Sequence, residues 1–121
     1  MKLLEAITTV GTQADALRLA ELAVQQGLAA CVQLTPVTSV YRWRGELQRD
    51  AEVQLCFKTT EATLEALRRA VLAAHPYELP AWQVLEAVAS DERFAAWVTA
   101  GASGQTATDG LVRRAWFVDP Q

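Results

Sequence analysis

Residues 37–58 read as two extended runs separated by a single glycine, Gly45. A two-residue period belongs to β structure, and a glycine between two such runs marks a hairpin. On the outgoing arm, 37–44, Ser39, Tyr41 and Trp43 face one way, and Val40, Arg42 and Arg44 face the other. On the return arm, 47–58, Leu47, Ala51, Val53, Leu55 and Phe57 alternate with Gln48, Asp50, Glu52, Gln54 and Lys58. An arm of about twelve residues spans about 40 Å at roughly 3.3 Å per residue. A chain of 121 residues makes one domain, with a radius of gyration of only about 13–14 Å. The arm must therefore project beyond its own core, and its bare edges call for a second copy to cover them.

The rest of the chain supplies that core. Hydrophobic residues make up 51% and charged residues 21%, a globular balance. Residues 2–9 read as a strand apolar on both faces, hence central, broken by Val10-Gly11. Thr12-Gln13-Ala14-Asp15 resembles a capping box, with Asp where Glu is usual. A helix with Leu17, Ala20 and Val24 on its stripe follows, ending at Gly27 as the C′ residue. Residues 28–34 form a buried strand that Pro36 stops or bends. After the hairpin, Thr60 caps a helix carrying Leu64, Leu67 and Val71. Residues 81–88 give a last strand. Ser90-Asp91-Glu92 opens a short helix with Phe94, Trp97 and Val98 inward and Gly101 beyond its end.

The order strand, helix, strand, strand, helix, strand, with an appended helix, predicts an α+β fold. Two βαβ-type halves joined by right-handed crossovers give a ferredoxin-like sandwich: four antiparallel strands with both main helices on one face. The domain occupies 1–101. Residues 102–121 are a linker and C-terminal extension, in which 111–118, with Trp116 and Phe117, are expected to dock as an extra strand or extended segment.

Composition excludes several functions. A net charge of −3, a pI near 5.1 and no run of Lys or Arg argue against nucleic acid. Neither a signal peptide nor an apolar run of membrane-spanning length is visible, which predicts a cytoplasmic protein with no membrane partner. Cys31 and Cys56 lack zinc-site spacing and a secretory context, so both are expected as reduced thiols. One histidine and two cysteines are too few for a structural zinc site in one chain.

Residues His75-Pro76-Tyr77-Glu78-Leu79-Pro80 hold the only histidine and two of the four prolines. Pro76 disfavours helix at His75, and Pro80 keeps Leu79 extended. An imidazole, a phenol and a carboxylate are thus fixed near a helix-to-strand junction, either as a cation or proton-relay site or as a hydrogen-bonded turn. Lys58, at the start of the second helix, is either an anion grip or a solvated lysine. Tyr41 and Trp43 on the arm either stack on a ligand or make an oligomer contact. Cys31 reads as a core thiol. With no Gly-rich phosphate loop and no nucleophile motif, the chain is read as a non-enzyme.

Four separated segments carry a family resemblance: Ala29-Ala30-Cys31-Val32, Ser39-Val40-Tyr41-Arg42-Trp43-Arg44-Gly45, the stretch from Glu52 through Lys58-Thr59, and His75 to Pro80. Together they resemble the CutA family of divalent-cation tolerance proteins, in order from residue 3 to about 100. The resemblance implies a homotrimer related in architecture to the PII signalling proteins. It also implies tolerance of copper and other divalent metals, and a ligand or metal held at inter-subunit clefts. It carries ligand-binding roles to Cys31, Tyr41, Trp43, Lys58, Tyr77 and Glu78, and a metal role to His75. Some members have a cysteine and a second histidine linked to copper where this chain has Thr8 and Ala74, so only weak Cu(II) or other divalent-metal binding is expected. The alternative is a PII-like module that binds an anionic metabolite through Lys58.

Overall fold

A computed structural model describes residues 2–105. The elements run β1 (Leu3–Val10), α1 (Gln13–Gln25), β2 (Cys31–Trp43), β3 (Glu46–Thr60), α2 (Glu61–Ala74), β4 (Gln83–Glu86) and α3 (Glu92–Gly101). The strands form one antiparallel sheet in the order β2-β3-β1-β4, the ferredoxin-like arrangement. β1 is central, as its two-sided apolar character predicts. The expected docking of 111–118 lies outside the described residues.

Strand alternation divides the sheet into two unlike faces. Leu4, Ala6, Thr8 and Val10 of β1 lie beside Thr59, Phe57, Leu55 and Val53 of β3, and all of these are buried. Ala16, Leu19 and Ala23 of α1 and Leu67 and Val71 of α2 close over this face to make the core. The opposite face, with Glu5, Ile7 and Thr9 against Lys58, Cys56 and Gln54, is only half-buried: α1 and α2 lie on the other side, and α3 approaches this face at its Glu5–Lys58 end.

The hairpin is longer than the sequence suggests. β2 pairs with β3 from Cys31↔Lys58 to Trp43↔Glu46 without a break at Pro36. β2 is an edge strand, so a proline, which has no N–H to donate, is tolerated within it. Arg44 and Gly45 make the two-residue turn with φ of 52° and 83°. Positive φ at both positions is the backbone of a type I′ turn, whose twist matches that of the strands.

The helix ends obey local rules with small departures. Thr12 Oγ1 accepts the Asp15 N–H at 3.1 Å, and Gly27 follows α1 with φ of 68°. The inward stripe of α1 is Ala16, Leu19, Ala20 and Ala23, while Leu17 is 45% exposed. Small alanines let the helix sit close on the sheet and turn Leu17 outward. Thr60 occupies the N-cap of α2 but makes no side-chain cap bond, because its hydroxyl turns toward Thr63 inside the fold. α2 stops at His75, extended at φ −71° and ψ 136°, as Pro76 requires. Gly101 ends α3 from inside, where a Cβ would stand 2.7 Å from Ala30 Cβ, so close approach selects glycine there. No helix among the described residues is long and apolar enough to cross a membrane.

Candidate functional site

The loop from α2 to β4 is anchored by His75. Its Nε2 lies 3.0 Å from the Thr9 backbone carbonyl and 3.0 Å from Thr8 Oγ1. Its Nδ1 accepts the Tyr77 backbone N–H at 3.1 Å. A carbonyl only accepts and an amide N–H only donates, so the ring is neutral with its proton on Nε2. Burial, the largest influence, holds its pKa below the usual histidine range, against the Thr9 carbonyl, which favours the charged form. Thr8 in turn donates to the Ala81 carbonyl at 2.6 Å. The imidazole thus ties the start of the loop to the end of β1, and Thr8 ties its end at Ala81.

Anchored in this way, the loop presents Tyr77 to the open face of the sheet. The Tyr77 hydroxyl donates to Glu52 Oε2 at 2.5 Å. Tyr41, across the ladder from Gln48, donates to the Asp50 carboxylate. Burial and Glu52 push the Tyr77 phenol well above its ordinary pKa, and Asp50 does the same to Tyr41. Both phenols therefore stay protonated and serve as donors to carboxylates.

A cavity of about 500 Å³ opens between arm and loop. Tyr41, Trp43 and Glu52 line it from the hairpin, Pro76, Tyr77, Glu78 and Leu79 from the loop, and Thr9 and Ala81 complete it. This volume suits a small organic ligand. Tyr41, Trp43, Tyr77 and Glu78, named from the sequence, are thereby brought together.

Lys58 and Cys31 are elsewhere. Lys58 Nζ lies 2.6 Å from Glu5 Oε2, its cross-strand neighbour, and borders a separate space of about 310 Å³ between the sheet and α3. Its hydrogen bond from Lys58 holds Glu5 below the usual carboxylate range. Burial opposes the Lys58 charge, but Glu5 and the nearby thiols outweigh it and raise its pKa. Cys31 faces Lys58 in the ladder, and Cys56 Sγ lies 3.5 Å from Glu5 Oε1. Both cysteines are free, and burial raises both thiols.

A metal centred on His75 does not fit these residues. A ligating imidazole needs a free ring lone pair, and Nδ1, the one nitrogen without a proton, is taken by Tyr77 N–H. Among the described residues no three His, Cys, Asp or Glu side chains converge as a ligand set. Sequence reasoning missed Thr9, Asp50 and Glu5 as partners, and noted Glu52 only within a motif. The alternation of the return arm had already placed Asp50 and Glu52 on one face; the ladder register brought Tyr41 to Asp50, and the packing of the His75–Pro80 loop brought Tyr77 to Glu52.

Comparison with known proteins gives the family. Residues 4–101 match the family model for the CutA1 divalent ion tolerance protein. The divalent-cation tolerance protein CutA of Thermus thermophilus is 36% identical over 93 residues, covering 76% of this chain and 90% of its own. The CutA structure from Synechococcus elongatus PCC7942 matches with a TM-score of 0.81 at 42% identity, over 84% of this chain and 90% of the other. A second structure of that protein is of its complex with a Bis-Tris molecule, with a TM-score of 0.78 at 42% identity over 83% of this chain and 93% of the other. CutA1 from Oryza sativa matches with a TM-score of 0.80 at 33% identity, over 84% and 94%. A family model spanning most of the chain, relatives above one-third identity and the same sheet together make this chain a member of the CutA divalent-ion tolerance family.

Proposed function

We propose that this chain is the subunit of a cytoplasmic homotrimer that takes a small ligand in the cleft between the hairpin arm and the His75–Pro80 loop, as a binding protein rather than an enzyme. The cavity walled by Tyr41, Trp43, Tyr77, Glu52 and Glu78 is the observation that carries the ligand reading. The relative solved with a Bis-Tris molecule supports it, since that ligand is itself a small organic molecule.

The bare distal arm supports the oligomer. Val40 is 59% and Leu47 73% exposed on one side of it, and Tyr41 and Trp43 remain over 40% exposed on the other. Apolar side chains on both faces of an arm with free edges suit strands that cross into neighbouring subunits and bury them. The reading assigns no resident metal to His75. It also sets aside an anionic metabolite gripped by Lys58, whose charge Glu5 already answers.

Sedimentation tests the assembly, and a species of three chains at micromolar concentration is the expected result. A monomer would end the trimer reading. Thermal shift against a panel of small molecules tests the cleft, and wild-type shifts should shrink in Trp43→Ala. Shifts of equal size in both proteins would place the ligand elsewhere.

A further inference from the structure

Resting on the cleft reading above, we propose that the ligand taken there is an organic cation: a quaternary or protonated amine whose charge sits against aromatic rings and carboxylates. Three rings, Tyr41, Trp43 and Tyr77, and two carboxylates, Glu52 and Glu78, face the cavity, and no Lys, Arg or His lines it among the described residues. The phenol of Tyr77 occupies one oxygen of Glu52, leaving Oε1 with no hydrogen-bond partner among the described residues. Asp50, held by Tyr41 beside the cavity, adds a third negative charge. Glu78, also in the lining, makes no hydrogen bond or ion pair among the described residues, so its carboxylate is free to meet a ligand.

A site of this sign repels an anionic metabolite and raises the local concentration of cations. The rings then select among cations. A bare divalent ion is strongly hydrated and demands six or more oxygens, or soft ligands, which this lining does not supply. An alkylammonium sheds water readily and is attracted to ring faces within about 6 Å. Trp43 already shows the attraction, for the Arg44 guanidinium lies 5.5 Å from its ring centroid. The volume of about 500 Å³ admits a molecule of several carbons rather than a single small ion.

The test uses the full-length protein and the indole N–H resonance of Trp43, one of four tryptophans, identified by its loss in Trp43→Phe. Choline, spermidine, citrate and 3,3-dimethylbutan-1-ol, the neutral carbon isostere of choline, are titrated in turn. Choline or spermidine should shift that resonance saturably, with the neutral isostere at least about tenfold weaker and citrate without effect. Glu52→Gln and Glu78→Gln, which keep side-chain shape, should each weaken the cation several-fold. Equal binding of the isostere, preference for citrate, or indifference to both Gln variants would overturn the cation class while leaving the cleft a ligand site. No movement of Trp43 with any of the four would overturn the cleft reading and this inference together.

Discussion

The two halves of β3 differ although they belong to one strand in one continuous register. From Val53 to Thr60 every second residue is buried, and Leu55, Phe57 and Thr59 are completely so. From Glu46 to Ala51 the strand is almost wholly exposed, with Leu47 open to solvent. Backbone pairing with β2 is the same throughout. What changes is the layer above: α1 and α2 cover the first half and end before the second. The hairpin base is thus stabilised by folding its own chain, whereas the tip has its ladder, local contacts such as Tyr41 with Asp50 and Arg44 over Trp43, and whatever docks on it.

The sharpest way to break that contrast is to truncate one apolar side chain in each half. Phe57→Ala should cost about 3–5 kcal/mol of stability by emptying the core, read as a fall in urea midpoint or melting temperature. Trp43→Ala should leave secondary structure intact but weaken association by about 2 kcal/mol if Trp43 anchors a neighbour, read by sedimentation at falling concentration. If the two variants lost the same intrachain stability and neither changed association, base and tip would not be different kinds of structure.

His75 lies between the two regimes. His75→Ala leaves the Tyr77 N–H and the Thr9 carbonyl without their partner and should cost about 1–3 kcal/mol, seen in chemical denaturation. Because burial depresses its folded pKa below 6.5, the unfolded chain takes up the proton first as pH falls. The His75 contribution is therefore fully present above pH 6.5 and shrinks as pH drops from there through the folded pKa. His75→Gln should flatten that part of the pH–stability profile, and an unchanged slope would show the ring to be unimportant.

Smaller effects test the cleft and the turn. Tyr77→Phe removes the donor to Glu52 and should cost about 1 kcal/mol or less at this half-open site, with a larger loss in any ligand-induced thermal shift. Arg44→Asn relieves a non-glycine residue from positive φ and should stabilise the turn by a few tenths to about 1 kcal/mol, provided the stacking of Arg44 on Trp43 contributes less. A destabilised Arg44→Asn would show that the stacked guanidinium matters more than the backbone.

Much of this architecture was legible because it is local. Period-two and helical spacings located the elements, and prolines and glycines bounded them. The phase of α1 was misread at Leu17 because hydrophobicity alone does not tell which apolar face the sheet accepts. Pro36 was read as stopping or bending the strand, and that it does not stop it could not be seen locally, because the edge position of β2 is a property of the whole sheet. Gly101 was placed outside α3 because the Ala30 contact that requires it comes from a distant segment.

The candidate site divides along the same line. The sequence by itself determined that His75, Tyr77 and Glu78 would sit on a short extended loop, since Pro76 and Pro80 act on their immediate neighbours. It also determined that Tyr41 and Trp43 would share one face of a projecting arm. Only the tertiary structure decided that His75 reaches Thr9 across 66 residues and Tyr77 reaches Glu52 across 25. The same holds for Lys58, which meets Glu5 across 53 residues and so lies outside the cleft. Each of these contacts depends on strand register and crossover packing, which bring together groups that no local period relates.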